Sequence, residues 1–181
     1  MHIIGISGSL RAGSYNTLLL NNAASLLEAP HTLTSFSIAS IPFYNEDLEQ
    51  GERPTAVQEL LDAVKSADAI LFATPEYNHS LPGVLKNAID WASRPAFKSV
   101  LVGKPAGVLS AAMSPVGGAR VQMHIKDVLA STLTPVYAVP DYLLPSAHTV
   151  FDDSGALTDE TAVRRLKRYL TGFVDWADSQ T

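Results

Sequence analysis

The sequence predicts an α/β protein built on a doubly wound parallel sheet, and three observations lead there. Short apolar, β-branched runs alternate with segments of helical periodicity from one end of the 181-residue chain to the other. One run, residues 69–74 (AILFAT), is continuously apolar, as a strand covered on both faces must be. Five strand-like and five helix-like segments alternate, so successive strands are joined by crossovers and pair in parallel.

Each element has its own signal. Residues 2–7 (HIIGIS) form an apolar strand that ends at Gly8-Ser9. Asn16 is a candidate N-cap for a helix carrying Leu18, Leu19, Leu20, Ala23, Ala24, Leu26 and Leu27. Residues 32–38 alternate polar and apolar as a half-buried strand does, and residues 39–54, acidic with glycine and proline, read as a surface loop. Pro54 opens a second helix with Val57, Leu60, Leu61 and Val64 at helical spacing. The strand at 69–74 follows. After Pro82, Val84, Leu85, Ala88, Ile89, Trp91 and Ala92 cover an arc of roughly 160° at ~100° per residue, wide enough for a sheet and a partner. Residues 106–111 predict a fourth strand, 119–131 a helix, and 134–139 a fifth strand ended by Pro140. The last helix spans about residues 159–178, with Val163, Leu166, Leu170, Phe173, Val174 and Ala177 as its stripe.

Composition narrows the function. The length fits one domain over residues 1–181, and 46% apolar against 17% charged residues supports a packed core. No apolar run approaches the ~18 residues of a membrane span. Met1 leads straight into the first strand, so a cytoplasmic protein without a secretory leader is expected. With no cysteine, disulfides, thiolate metal sites, Fe–S clusters and cysteine nucleophiles are excluded, and redox chemistry would need a bound cofactor. Net charge is −5; basic residues are scattered without interleaved aromatics, which speaks against nucleic acid.

Ligands of doubly wound sheets bind beyond the strands' carboxyl ends, so the loops there matter most. The first reads Gly8-Ser9-Leu10-Arg11-Ala12-Gly13-Ser14-Tyr15-Asn16. It joins a strand to a helix N-terminus, where free N–H groups and the helix dipole favour an anion. Ser9, Ser14 and Asn16 add donors and Arg11 adds charge, a set suited to a phosphate monoester. Plain helix capping by Ser14 or Asn16 is the simpler alternative. The glycines lack dinucleotide G-x-G-x-x-G spacing, Gly103-Lys104 runs into Pro105 rather than forming a P-loop, and no G-x-S-x-G elbow is present.

The loop after the third strand reads Thr74-Pro75-Glu76-Tyr77-Asn78-His79-Ser80. Pro75 disfavours helix, so following backbone groups can bond the edge of a flat heterocycle while Tyr77 supplies apolar contact. His79 has no partnered carboxylate or nucleophile that would make it a general base. Glu76 reads as a solvated loop carboxylate.

Together, GSLRAGSYN at 8–16, TPEYNHSLPGVLKNAIDWASRP at 74–95 and VGGAR at 116–120 resemble the NADPH-dependent FMN reductase family, which includes quinone, azo-dye and chromate reductases. The resemblance runs through nearly the whole chain. It implies a flavodoxin-like three-layer sandwich, with a five-stranded parallel sheet of order 2-1-3-4-5 and helices on both faces. It implies tightly but non-covalently bound FMN, reduced by NADPH or NADH in ping-pong turnover with a small acceptor such as a quinone, azo compound, free flavin or metal oxyanion. By the same resemblance, Ser9, Leu10, Arg11, Ser14, Tyr15 and Asn16 hold the phosphate and ribityl chain. Pro75, Glu76, Tyr77 and Asn78 line the isoalloxazine, and Ser110 or Ala111 approaches its other edge. No side chain is expected to be catalytic and no metal is implied. A homodimer or homotetramer is expected, with the 85–91 helix near an interface. Arg120 has two readings, an ion-pair residue or an attractor of the nicotinamide phosphate. The rival functions are a flavodoxin-type carrier without substrate turnover and a nonredox module binding another phosphorylated ligand.

Overall fold

The computed structural model describes residues 1–180. A five-stranded sheet of order β2-β1-β3-β4-β5 forms from β1 (His2–Ser7), β2 (Thr32–Phe36), β3 (Ala69–Ala73), β4 (Ala106–Ala111) and β5 (Tyr142–Leu144). Every neighbouring pair is parallel. The helices are α1 (Tyr15–Leu26), α2 (Glu46–Gln50), α3 (Thr55–Ser66), α4 (Gly83–Ala92), α5 (Ala119–Ser131) and α6 (Glu160–Asp178).

Strand alternation sorts the core into two layers. Ala69, Leu71 and Ala73 of β3 face Leu19 and Leu20 of α1 and Leu166, Leu170 and Phe173 of α6. Ile70 and Phe72, pointing the opposite way, join Val57 and Leu60 of α3, Leu85 and Ile89 of α4, and Ile125 of α5. The flavodoxin-like three-layer arrangement expected from the sequence is present, strand order included.

Three expectations need correction. The fifth strand is not residues 134–139. That segment meets β4 only at its start, where Ala106 N–H donates to Pro135 O at 2.9 Å and Tyr137 N–H donates to Ala106 O at 2.8 Å. The ladder resumes at β5 proper, opposite Leu109–Ala111; Pro135 and Pro140 have no N–H to carry it continuously. The 39–54 loop contains α2, whose N-cap Asn45 accepts from Asp47 N–H at 3.0 Å. The wide apolar arc of α4 is filled within the chain. Leu85, Ala88, Ile89, Trp91 and Ala92 are buried, and the segment before α2 covers the flank the sheet leaves open. There Trp91 Nε1 and Asn87 Nδ2 both donate to Pro42 O at 2.8 Å, and Tyr44 N–H donates to Asn87 Oδ1 at 2.8 Å.

Candidate functional site

Loops after β1, β3 and β4 converge on one cleft of about 250 Å³, lined by Ser9, Arg11, Ser14, Tyr15 and Asn16, by Pro75, Glu76 and Tyr77, and by Ala111, Ala112 and Met113. Close approach of the first two loops depends on Gly8. A Cβ there would lie 2.8 Å from Thr74 Oγ1 and 3.0 Å from Leu85 Cδ2, and Gly8 N–H donates to Ala73 O at 2.8 Å.

The first loop holds its donors in reserve. Helix α1 starts at Tyr15 with Ser14 as N-cap, two residues earlier than Asn16 as a cap would place it, and the Ser14 hydroxyl makes no capping bond. Ser14 is nonetheless 2% exposed, so a buried hydroxyl and the unmet N–H groups of a first helical turn face the cleft together. Arg11 donates only to Ala12 O at 3.4 Å and lies 5.2 Å from the centre of the Tyr15 ring. Tyr15 in turn stacks on Phe151 at 6.0 Å. Ser9 Oγ accepts a long 3.4 Å bond from Arg11 N–H and keeps its own proton to donate.

Asn16 behaves differently from expectation. Its Nδ2 donates to Ala111 O at 3.0 Å and its Oδ1 accepts from Ala111 N–H at 2.9 Å. The buried carboxamide thus ties the β1 loop to the end of β4 and leaves one N–H for a ligand.

The β3 loop is internally satisfied. Glu76, expected to be solvated, has a side chain only 13% exposed. Its Oε2 accepts from Arg120 N–H at 3.0 Å and Val121 N–H at 3.3 Å, and its Oε1 from Arg120 Nη1 at 3.1 Å. Glu76 therefore caps α5 from another loop, and Arg120 takes the ion-pair role. Burial pushes this carboxyl upward, but the Arg120 side-chain bond, the two backbone bonds and the Arg120 charge outweigh it, and the pKa falls below its ordinary 4.5. Beyond it, Tyr77 and Ser80 exchange N–H···O bonds of 3.0 Å each around Asn78 (φ 50°) and His79 (φ 67°), a turn left-handed at both central residues. Asn78 and His79 are exposed at its tip, and Asn78, expected at the ring, is not among the lining residues.

Ser110 also faces away. Its hydroxyl donates to Gly117 O at 2.7 Å and accepts from Gln122 Nε2 at 3.2 Å inside the core. Ala111 is the cleft residue of the pair, joined by Ala112 and Met113, which sequence reasoning missed. Leu10, 51% exposed, lines the neighbouring cavity instead.

FMN joins a phosphate monoester to a flat heterocycle, and the cleft matches both ends. Uncommitted hydroxyl, guanidinium and N–H donors gather at the β1 loop, while Pro75, Tyr77, Ala111 and Met113 offer apolar walls. Among the described residues no cluster of acidic and histidine side chains suits a metal ion, and no helix is long and apolar enough to cross a membrane.

Comparisons with known proteins agree with this geometry. A model of the NADPH-dependent FMN reductase family matches residues 1–149. The chain is 41% identical over 174 residues to an NAD(P)H-dependent FMN reductase of Pseudomonas aeruginosa, covering 96% of this chain and 94% of that one. It is 37% identical over 170 residues to a quinone reductase of Pseudomonas putida, covering 94% and 89%. Among solved structures, FerB from Paracoccus denitrificans, a flavoenzyme NAD(P)H:(acceptor) oxidoreductase, superposes with a TM-score of 0.91 at 34% identity, covering 99% of this chain and 98% of that chain.

Proposed function

The chain belongs to the NADPH-dependent FMN reductase family, and on that premise we propose that the cleft joining the loops after β1, β3 and β4 is its FMN site. It is an FMN-dependent NAD(P)H oxidoreductase acting on quinones and flavins. The observation that carries the site assignment is the pool of uncommitted donors between Ser9 and Asn16.

FMN held there would supply the redox chemistry, hydride acceptance from a nicotinamide and electron delivery to a small acceptor. The protein's own residues do the rest. Ser9, Ser14 and the first N–H groups of α1 bind the phosphate, and Arg11 neutralises it. Asn16 fixes Ala111 against the β1 loop, so the two walls hold a constant separation. Pro75 and Tyr77 border one side, Ala111, Ala112 and Met113 the other, and the exposed Tyr77 and Met113 side chains leave the mouth open to two substrates in turn. Glu76, held ionised by Arg120 and α5, shapes the wall and moves no proton.

The same reading takes residues 1–181 as one FMN-binding unit working in the cytoplasm, where NAD(P)H is kept reduced. It takes the assembly as a homodimer or homotetramer, supported by Phe97 and Met123, which stand 74% and 72% exposed. Purified protein should be yellow, should retain FMN through gel filtration, and should bleach on anaerobic addition of NADPH and recolour with a quinone. Protein that stays colourless and takes up no FMN in a titration would sink the assignment. A flavin that NADPH or NADH cannot bleach would reduce the chain to a carrier.

A further inference from the structure

Past β5 the chain turns back onto α1 through residues 151–157. Phe151 and Leu157 pair as an antiparallel bridge across the base of this loop. Inside it, Asp152 Oδ1 accepts from the N–H groups of Ser154 and Ala156 at 2.9 Å each, and from the Ser154 hydroxyl at 2.7 Å. The loop meets α1 along one helical stripe, at Tyr15, Leu18 and Asn22. Asn22 Nδ2 donates to Gly155 O at 2.8 Å, and its Oδ1 accepts from Leu157 N–H at 2.8 Å. A Cβ at Gly155 would lie 2.7 Å from Leu18 Cδ2, so loop and helix touch closely. At the N-terminal end of the stripe the Phe151 and Tyr15 rings stack, 6.0 Å apart and 11° from parallel.

That last contact reaches the cleft, because Tyr15 lines it and Phe151 does not. The Arg11 guanidinium carbon lies 5.2 Å from the centre of the same Tyr15 ring, and its only hydrogen bond is the long one to Ala12 O. An aromatic ring attracts a guanidinium through its quadrupole. A ring already fixed in place spares a long side chain part of the freedom it would otherwise lose on meeting an anion. We propose that Phe151 is a positioning residue for the phosphate end of the cofactor: it fixes the Tyr15 ring, and the ring holds Arg11 beside the donors of the β1 loop. The proposal rests on FMN occupying the cleft with its phosphate at that loop. Phe151 itself touches no cofactor.

The test is a fluorescence titration of the full chain, stripped of flavin, with FMN and with riboflavin, which has the same ring and ribityl chain but no phosphate. Phe151→Leu keeps an apolar side chain and removes the ring. It should weaken FMN about fivefold and riboflavin less than about twofold. Phe151→Tyr restores a ring and should return FMN affinity to within about twofold of wild type. In an Arg11→Ala background, Phe151→Leu should change FMN affinity less than about twofold, because its effect passes through the guanidinium. Phe151→Ile is a second variant without the ring, for use should the leucine form not fold. A loss that riboflavin shares, a loss that persists without Arg11, or FMN affinity unchanged in a folded variant without the ring overturns the proposal. Wild-type protein that takes up neither flavin, or binds riboflavin as tightly as FMN, overturns the placement of FMN instead.

Discussion

Two regions flank the cleft and treat their polar groups in opposite ways. The turn from Gly8 to Asn16 leaves the Ser14 hydroxyl, the Arg11 guanidinium and the first N–H groups of α1 uncommitted. The junction of Glu76 with the start of α5 spends nearly everything on itself: three bonds reach the Glu76 carboxylate, and Ser110 serves Gly117 and Gln122. Uncommitted polar groups cost stability until a ligand meets them, whereas satisfied ones hold shape. The difference separates a binding surface from the brace that keeps it in place. Mutations in the brace should lower stability first, and mutations in the turn should lower affinity first.

The largest effect is expected at Gly118. It is the N-cap of α5 with φ 87°, and a Cβ there would sit 2.9 Å from Ser110 Cβ and 3.0 Å from its Oγ. Gly118→Ala should destabilise the protein by about 2–4 kcal/mol, from left-handed strain plus overpacking, read as a shift in urea midpoint. A loss of FMN affinity without that shift would break the distinction between brace and binder. Glu76→Ala comes next, at about 2 kcal/mol, because it orphans two α5 N–H groups and the Arg120 guanidinium. Its FMN affinity should fall only as far as the loop loses position.

The brace was the part least legible in the sequence. Strands and helices could be read because their apolar periodicity is local, and the uncommitted donors of Ser9, Arg11 and Ser14 could be read because one loop carries them all. Glu76 finds its partners 44 and 45 residues away, and nothing local to Glu76 announces a helix start that distant. Ser110 and Ala111 differ only in which face of β4 they occupy, a phase set by register with β3 and β5. Helix α2 was missed because Leu48 is its lone apolar residue, so it carries no stripe. The fifth strand was misplaced because residues 134–139 have better β composition than the three-residue segment that pairs with the carboxyl end of β4.

On the binding side, Arg11→Ala should weaken FMN about tenfold, the equivalent of about 1.4 kcal/mol. The apo protein's urea midpoint should stay within error, since the exposed guanidinium makes only a 3.4 Å bond and one ring contact. An apo protein markedly destabilised by this change would show that Arg11 belongs to the brace after all.

The smallest effect sharpens the comparison through pH. The Glu76 pKa is lowered in the folded protein from its ordinary 4.5, so the unfolded chain binds a proton at this site at higher pH than the folded one does. The stability it contributes is present above about pH 4.5 and is lost as pH falls through the lower, folded-state value. Below that point a protonated Glu76 keeps an acceptor oxygen but loses the charge that attracts Arg120 and the α5 dipole. Glu76→Gln imitates that state at every pH. The difference in urea midpoint between wild type and Glu76→Gln should therefore be constant from pH 6 to 8 and shrink below pH 4.5. A difference that held its size into acid would mean that the Glu76 carboxylate braces α5 by hydrogen-bond geometry alone, its charge contributing nothing.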